Sequence, residues 1–580
     1  MERAQAGLQS RSHTRKGWSA AMASLQAQDV TSLKAVLAEW RRLLLPSRLE
    51  KAQQAGPGTI QLGLRHLQGM QWLELSWQAE AARVHAIAPP PRQGEGSTLA
   101  QQLQHGLGGL ALVSLQQVGW ERVLELGFAR RPGEAPQRWL VAELMGRHSN
   151  LLLLEPDGDG RQVVALGRQV KTAQSRLRPI GTGDPYQPPP PLDGAPPSRA
   201  ESFERWRQRV ALLPLPLEQA LRSAYQGISP ALARQLAPPQ WLQQPVTELQ
   251  SHQWELLWQR WQLWLAAVEA ERFCWQGDAE GYRCWSAEPH AQPPASAAMP
   301  INRGLAAFYG RALAQQSLSQ QRRQLQQQLE RLLRREQQQA GSQQALLDAV
   351  PESDALQLQA DALLSQFQPS RSCIDTAQKL YRQARRRRRS VAAIQERLAW
   401  HGQRLAWLEA SLTYLDQAED LEALQGLGRD LEEHLHPGGR PARQSRRGSG
   451  QGREGQPLEL ISPGGLTLQV GRNHRQNEWI AFRQARRGDL WFHAQELPGS
   501  HVVLRSSAAA AGEDDLQAAA DLAAHFSRGR GNRRVPVLMV PTAELQRIPG
   551  AAPGTVRHRG GSLLWGEPER ALSLLAARQP

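Results

Sequence analysis

Three cysteines in 580 residues, Cys274, Cys284 and Cys373, are too few and too far apart for a disulfide framework or a four-thiolate zinc site. A reducing cytoplasm is the expected compartment. The first thirty residues contain no continuous apolar segment of the signal-peptide kind, and no later run reaches the roughly 18 apolar residues of a membrane span, so neither export nor insertion is expected. Lysine is scarce as well: Lys16, Lys34, Lys51, Lys171 and Lys379 stand among 69 basic residues. Arginine forks onto phosphate and stacks on bases, which suits RNA, but a GC-rich genome gives the same bias, so the choice of arginine decides nothing. The sign of the charge does. A formal net charge of +15 and a pI near 10.6 favour a polyanionic partner, because neutralised phosphates release counterions.

A chain of this length exceeds one core and predicts three or four units. Residues 1–28 are polar and basic without a period and read as a disordered leader. From Asp29 to about Tyr186, runs such as Thr59 to Leu64, Trp72 to Trp77 and Val123 to Phe128 alternate with a period of two. With helices expected over Thr31–Leu45 and Leu99–Leu107, this makes an α+β domain, 29–195, closed by the stiff proline run Pro188 to Pro191. In 196–245, helices over Leu217–Tyr225 and Pro230–Leu236 flank Gln226-Gly227-Ile228-Ser229, a pattern similar to a helix-hairpin-helix. Its turn either presents N–H groups to a phosphate or is a plain connection. Segment 246–310 carries Trp254, Trp258 and Trp261 on one helical face, read as core rather than as a base-stacking platform.

Heptad leucines follow in 311–435. Leu318, Leu325 and Leu332 with Leu329, then Leu398, Leu405 and Leu412 with Ile394, Leu408 and Leu415, predict the two arms of an antiparallel coiled-coil hairpin. The returning arm contains five successive arginines, Arg385, Arg386, Arg387, Arg388 and Arg389. Such a run is commonly a solvated face, but its self-repulsion on a projecting arm favours an rRNA or tRNA contact. A Gly/Ser/Arg-rich linker, 436–457, precedes a closing α+β module, 458–575. Strands are expected there at Leu466–Val470, Leu490–His493, Val502–Arg505 and Val535–Val540, and helices at Asn477–Arg486 and Leu516–Ser527.

Two motifs identify a family. Gly471-Arg472-Asn473-His474-Arg475-Gln476-Asn477-Glu478-Trp479, continuing through Asp489-Leu490-Trp491-Phe492-His493 and Leu497-Pro498-Gly499-Ser500-His501-Val502-Val503, resembles the RNA-associated module of the NFACT family. Glu143-Leu144-Met145-Gly146-Arg147-His148-Ser149-Asn150, before Leu151 to Leu154, resembles the signature of that family's N-terminal domain, and Ala377 to Tyr381 its returning helix. The resemblance covers nearly the whole chain from Asp29. It implies a multidomain α+β protein with a glycosylase-like N-terminal domain, a helix-hairpin-helix, a long coiled-coil hairpin and an RNA-associated closing domain. Relatives begin shortly before the position of Asp29, which implies that Met22 rather than Met1 is the start. The space between the arms is short, so any tip domain of relatives is expected to be reduced here.

The resemblance further implies a ribosome quality-control factor. Such a factor binds obstructed large ribosomal subunits carrying peptidyl-tRNA and recruits aminoacyl-tRNA, typically alanyl-tRNA, for mRNA-independent C-terminal tailing that marks the nascent chain for degradation; it is no enzyme but positions tRNA for the ribosome's peptidyl transferase centre, and it would work as a monomer, without cofactor or membrane. Asp29, Glu121 and Arg122 match the positions used to engage tRNA. Relatives usually have Asp-Arg where this chain has Glu121-Arg122, commonly Gly where Val30 stands and Arg where Gln104 stands. An adjacent carboxylate and guanidinium can read base edges, or form a surface ion pair. Arg147 and His148, and in the closing module Arg472, Asn473, Arg475, His493, Ser500 and His501, are further candidates for RNA contact. Asn473 or Asn477 alternatively caps a helix, and the two histidines lack a third ligand at metal-site spacing. Glycosylase chemistry needs an N-terminal proline nucleophile and a four-cysteine finger, and the chain opens Met1-Glu2-Arg3. A surface fibronectin-binding adhesin and a glycosylase-fold repair protein are the alternatives.

Overall fold

The computed structural model describes residues 25–92, 97–175, 177–278, 280–286, 300–436, 456–549 and 551–577. The leader up to residue 24, Met22 with it, and 437–455 of the linker lie outside these. The chain divides into two compact units, Met1–Ala314 and Gln315–Pro580.

The first unit opens with α1 (Val30–Leu44), then β1 (Ser47–Gly56), β2 (Thr59–His66), β3 (Gly69–Ser76), β4 (Arg83–Ile87), α2 (Thr98–Leu107), β5 (Ala111–Gln117), β6 (Val123–Ala129), β7 (Arg138–Glu143), β8 (Asn150–Asp157) and β9 (Gly160–Leu166). All nine strands form one antiparallel sheet in the order β4-β3-β2-β1-β5-β6-β7-β8-β9. Two meanders therefore meet at the short pairing of Ser47 with Leu112. Helices α3 (Phe203–Val210), α4 (Leu217–Ala224), α5 (Pro230–Leu236) and α6 (Ser251–Glu269) follow, then the small hairpin β10 (Gln276–Gly277) and β11 (Tyr282–Arg283), and the first turns of α7 (Pro300–Asp348).

Segments 29–195, 196–245 and 246–310 share one apolar core, running from Leu33 through Leu217 and Trp261 to Tyr309. The tryptophan stripe belongs to it. Trp254, Trp261 and Trp264 are buried, and Trp206 meets Trp254 and Trp261 at ring distances of 5.8 and 5.9 Å. Each such pair adds about 0.5–1.5 kcal/mol beyond the area it buries. The start of α7 is anchored by charge: Glu39 of α1 accepts from the backbone N–H groups of Ile301 (2.9 Å) and Asn302 (3.1 Å), where the helix dipole favours a carboxylate. Residues 25–28, which the sequence assigns to the leader, are placed. Gln28 is buried and both donates to and accepts from the Val84 backbone, while Gln26 pairs with Tyr282. Amide side chains satisfied in this way are polar in composition, and composition alone does not separate them from the leader.

The second unit takes the rest of α7, then α8 (Glu352–Leu364), α9 (Arg371–Gln417) and α10 (Leu421–Leu435). Contacts step down one arm as they climb the other: Arg322 donates to the Ala418 carbonyl, Glu336 meets His401 at 2.6 Å and Arg404 at 3.3 Å, and Arg387 donates to the Ala349 carbonyl at 3.1 Å. The hairpin is antiparallel, with Leu325, Leu329, Leu408 and Leu415 in its seam and Trp407 beside them.

The closing module comprises β12 (Leu458–Ile461), β13 (Thr467–Val470), α11 (His474–Trp479), β14 (Leu490–Ala494), β15 (Val502–Leu504), α12 (Glu513–His525), β16 (Val535–Pro541), β17 (Leu545–Arg547), β18 (Val556–His558), β19 (Ser562–Gly566) and α13 (Ala571–Ala576). Its six-stranded antiparallel sheet runs β12-β13-β15-β14-β16-β19. Helix α12 packs its alanines on Phe492, Val502 and Val537 of one face. On the other, Trp491, Val503 and Val540 meet Ile480 and Leu545. The helix expected over Asn477–Arg486 starts earlier, at His474, because Asn473 caps it, and continues as a π-turn over Ile480–Gln484.

Candidate nucleic-acid interface

In the first unit, Asp29 is the N-cap of α1. Its Oδ1 accepts from the Ser32 backbone N–H at 2.9 Å and from the Ser32 hydroxyl at 2.7 Å, closing a capping box. Its Oδ2 accepts at 2.8 Å from Ser229 Oγ, which in turn accepts from the Leu232 N–H and so caps α5. One carboxylate thus ties together two helix starts that are 200 residues apart. Asp29 is only 5% exposed. Its accessible neighbour is Arg122, whose pKa burial lowers while the charges of Asp29 and Glu121 act in the opposite direction.

The Gln226–Ser229 turn docks at the same place. Gly227 has φ +74°, and a Cβ there would lie 3.1 Å from the Trp120 carbonyl oxygen, so glycine is required both by the backbone and by the close approach. The Trp120 ring is 5.6 Å from Trp264 and has Lys34 Nζ 5.2 Å from its centroid; burial, then Arg41, lowers the lysine pKa. Glu121 is held by its Oε1, which accepts from the Leu192 N–H at 2.7 Å, just beyond the proline run. Arg147 and His148 sit on an exposed 3-10 turn between β7 and β8, Arg147 Nε donating to His148 Nε2 at 3.0 Å. Because Leu144 N–H donates to the Arg122 carbonyl and Glu143 pairs with Val123, this turn occupies the same sheet end as Arg122. Asp29, Glu121, Arg122, Arg147 and His148 therefore gather around the starts of β6 and β8. Lys34, Trp120 and Ser229 complete the cluster; Ser229 lies in the hairpin-like turn that the sequence marks, whereas no motif marks Lys34 or Trp120.

Of the departures, Val30 is buried in the first turn of α1, and Gln104 joins α2 to β1 by accepting from Ala52 N–H at 2.8 Å and donating to the Glu50 carbonyl at 3.1 Å.

The arginine run in the second unit is divided in two. Arg387 pairs with Glu352 at 2.7 Å, and Arg388 with Ser353, Asp354 and Gln357, all at the start of α8. Arg385, Arg386 and Arg389 are exposed and carry no ion pair among the described residues.

The family-like stretch of the closing module is a joint. Arg472 bonds Asp420 at 3.3 Å and Arg475 bonds Asp430 at 3.1 Å and also Glu433, so both forks hold α10. Asn473 is buried and spends its Oδ1 on the Gln476 N–H. His474 stacks on Trp407 at 4.5 Å, with His434 on the same indole at 3.9 Å, and its Nε2 meets Ser411 Oγ at 2.8 Å. Tyr414 donates to the Gly499 carbonyl at 3.0 Å and accepts from Asn477 Nδ2 at 2.7 Å, while Asn477 Oδ1 accepts from the His501 N–H at 3.0 Å. Desolvation holds His474 down at about 3 and His493 at about 4, puts His501 well below its usual value, and raises Asp430 to about 6 despite Arg475. Ser500 and His501 are buried, with Ser500 Oγ and His501 Nδ1 unpartnered; His493 is half-buried and lies 5.4 Å from His501. Among the described residues no group of three or more His, Cys, Asp or Glu side chains could hold a metal ion, and no helix is long and apolar enough to cross a membrane.

The family model of NFACT N-terminal and middle domains matches residues 29–368 and 366–446, and that of the NFACT protein RNA binding domain matches 458–560. The chain is 23% identical over 556 residues to the Rqc2 homolog RqcH of Bacillus subtilis, covering 90% of this chain and 94% of that one. It is 25% identical over 554 residues to the Rqc2 homolog RqcH of Streptococcus suis, covering 91% and 95%. The solved C-terminal part of the fibronectin/fibrinogen-binding protein from Streptococcus suis aligns with a TM-score of 0.37 at 25% identity, covering 44% of this chain and 98% of that one.

Proposed function

The chain belongs to the NFACT family, and from that premise we propose that it is a ribosome quality-control factor: it binds obstructed large subunits carrying peptidyl-tRNA and recruits tRNA, typically alanyl-tRNA, for mRNA-independent C-terminal tailing. The observation that carries this reading is the cluster at one sheet end. Asp29 fixes the starts of α1 and α5 there, and Arg122 lies beside Asp29 and Glu121. The exposed Arg147 and His148 flank it. A partly desolvated guanidinium with carboxylates behind it is oriented rather than free, and can make directed bonds to a phosphate or a base edge. Peptide-bond formation belongs to the ribosome's peptidyl transferase centre; this protein supplies proximity by holding a tRNA in place. The returning arm, α9, offers Arg385, Arg386 and Arg389 to rRNA.

Co-sedimentation with large subunits after induced stalling, followed by crosslinking and sequencing of bound RNA, tests the reading. A dominant tRNA species lost on Arg122→Gln is the expected result. A protein that stays in the ribosome-free fraction sinks it, and rRNA without tRNA reduces it to a binding factor.

A further inference from the structure

Among the described residues, the closing module leaves part of one sheet face uncovered. In the second-face register, His493 of β14 stands opposite Leu538 of β16, which stands opposite Leu563 of β19; one step along, Pro536 stands opposite Trp565. Helix α12 covers the opposite face, and the Ile480 π-turn with β17 and β18 covers the Trp491 and Val503 side and part of Leu538, stopping short of β19. Leu563 is therefore 50% exposed and Trp565 53% exposed, on an edge strand. Leaving a tryptophan in water at an edge gives up the stabilisation of burying it and invites aggregation, so its exposure asks for an occupant.

Charge says which occupant. Between 528 and 566 the chain has seven arginines and one carboxylate, Glu544. Arg557 and Arg559 lie at the end of the row where β19 begins, and Arg530 and Arg533 precede β16 at the other end; these four are exposed and carry no ion pair among the described residues. Arg534 is held by Glu567 at 2.9 Å. On the same face Trp491 is 2% exposed with an indole N–H that finds no acceptor. An apolar protein partner would not be met by free arginines at both ends, whereas a polyanion with flat bases would be.

We propose that this face binds single-stranded RNA, with Trp565 stacking on a base, Leu563 and Leu538 lying under its neighbour, and the arginines at either end holding phosphates. The proposal rests on the RNA-binding reading of the module and deepens it. Leu563 and Trp565 lie beyond residue 560, where the family match ends.

The test uses the full chain and a labelled single-stranded 12-residue RNA of mixed sequence, against the same strand in a perfect duplex, by fluorescence anisotropy. Trp565→Ala should weaken single-strand binding about tenfold, Trp565→Phe should restore most of it, and duplex binding should move little. Arg557→Gln with Arg559→Gln should lower the slope of log affinity against log salt. Equal single-strand affinity of Trp565→Ala and the parent protein overturns the proposal, as does a preference of the parent for duplex. Crosslinks from position 565 to a ribosomal protein and none to RNA overturn it too. Large-subunit co-sedimentation is measured alongside: if it persists while the single-strand result fails, the ribosomal reading stands and this surface assignment falls.

Discussion

The Asp29 carboxylate accepts a 2.8 Å hydrogen bond from Ser229 Oγ on one oxygen while the other caps α1 through Ser32, so the residue that family resemblance assigns to tRNA also joins two helix starts. Asp29→Ala removes the α1 cap and a buried charged acceptor together. The expected loss is about 2–3 kcal/mol, read as a lower urea midpoint. Asp29→Asn keeps an acceptor for the Ser32 N–H and should fold nearly normally. If tRNA recovery falls in Asp29→Asn at full folded fraction, the charge beside Arg122 matters for binding; if it falls only in Asp29→Ala, the cap does.

Acid should loosen the second unit. His474 and His493 are held at about 3 and about 4, and His501 well below its ordinary value, so all three are neutral when folded and take protons near 6.5 once unfolded. Their contribution is complete above about pH 6.5 and is lost as pH falls, at about 2 kcal/mol per histidine by pH 5. Asp430 opposes them: raised to about 6, it takes its proton in the folded state first and favours folding as pH drops from 6 towards 4. Three groups outweigh one. Urea titrations between pH 5 and 7.5 should show falling stability, with a shallower slope in His474→Gln.

Glu336 is 4% exposed and is shared by His401 and Arg404 across the hairpin. Glu336→Ala leaves the buried His401 and the half-buried Arg404 without their carboxylate, an expected cost of about 3 kcal/mol. Replacing Glu336 and His401 together by leucine should recover much of that, because an apolar pair needs no desolvated partner. Hairpin unfolding followed by hydrogen exchange would decide it, and equal protection in Glu336→Ala and the parent would refute it.

The five arginines should separate into two functions. Changing Arg385, Arg386 and Arg389 to glutamine should weaken large-subunit binding and flatten its salt dependence without moving the melting point. Changing Arg387 and Arg388 removes the bonds to Glu352 and Asp354 and should expose α8 to proteolysis. Identical effects of both sets would contradict the division.

Local chemistry made some elements readable. Ser229 before Pro230 states a cap and a first turn, and α5 runs Pro230–Leu236 as its sequence implies. The leucine intervals of the arms state their seam. What remained hidden depends on partners distant in sequence. Arg472 and Arg475 look like free forks until Asp420, Asp430 and Glu433 of α10 are seen beside them, and nothing in a single sequence couples those positions. Trp407 falls beside the heptad leucines and gave no sign of stacking on two histidines. Trp565 lies past the last expected strand, Val535–Val540, and no spacing or motif in the sequence marks it.

The stacked joint at the base of the arms has a mechanical meaning. Helix α9 spans 47 residues, about 70 Å of rigid rod at 1.5 Å per residue, and its last turns are clamped to the closing module through Trp407, Ser411 and Tyr414. A tilt of about 5° at the clamp swings Arg387, about 36 Å along the rod from Ser411, by about 3 Å, so RNA gripped by the sheet module and RNA touched by the arginines of α9 would be measured against each other by one lever.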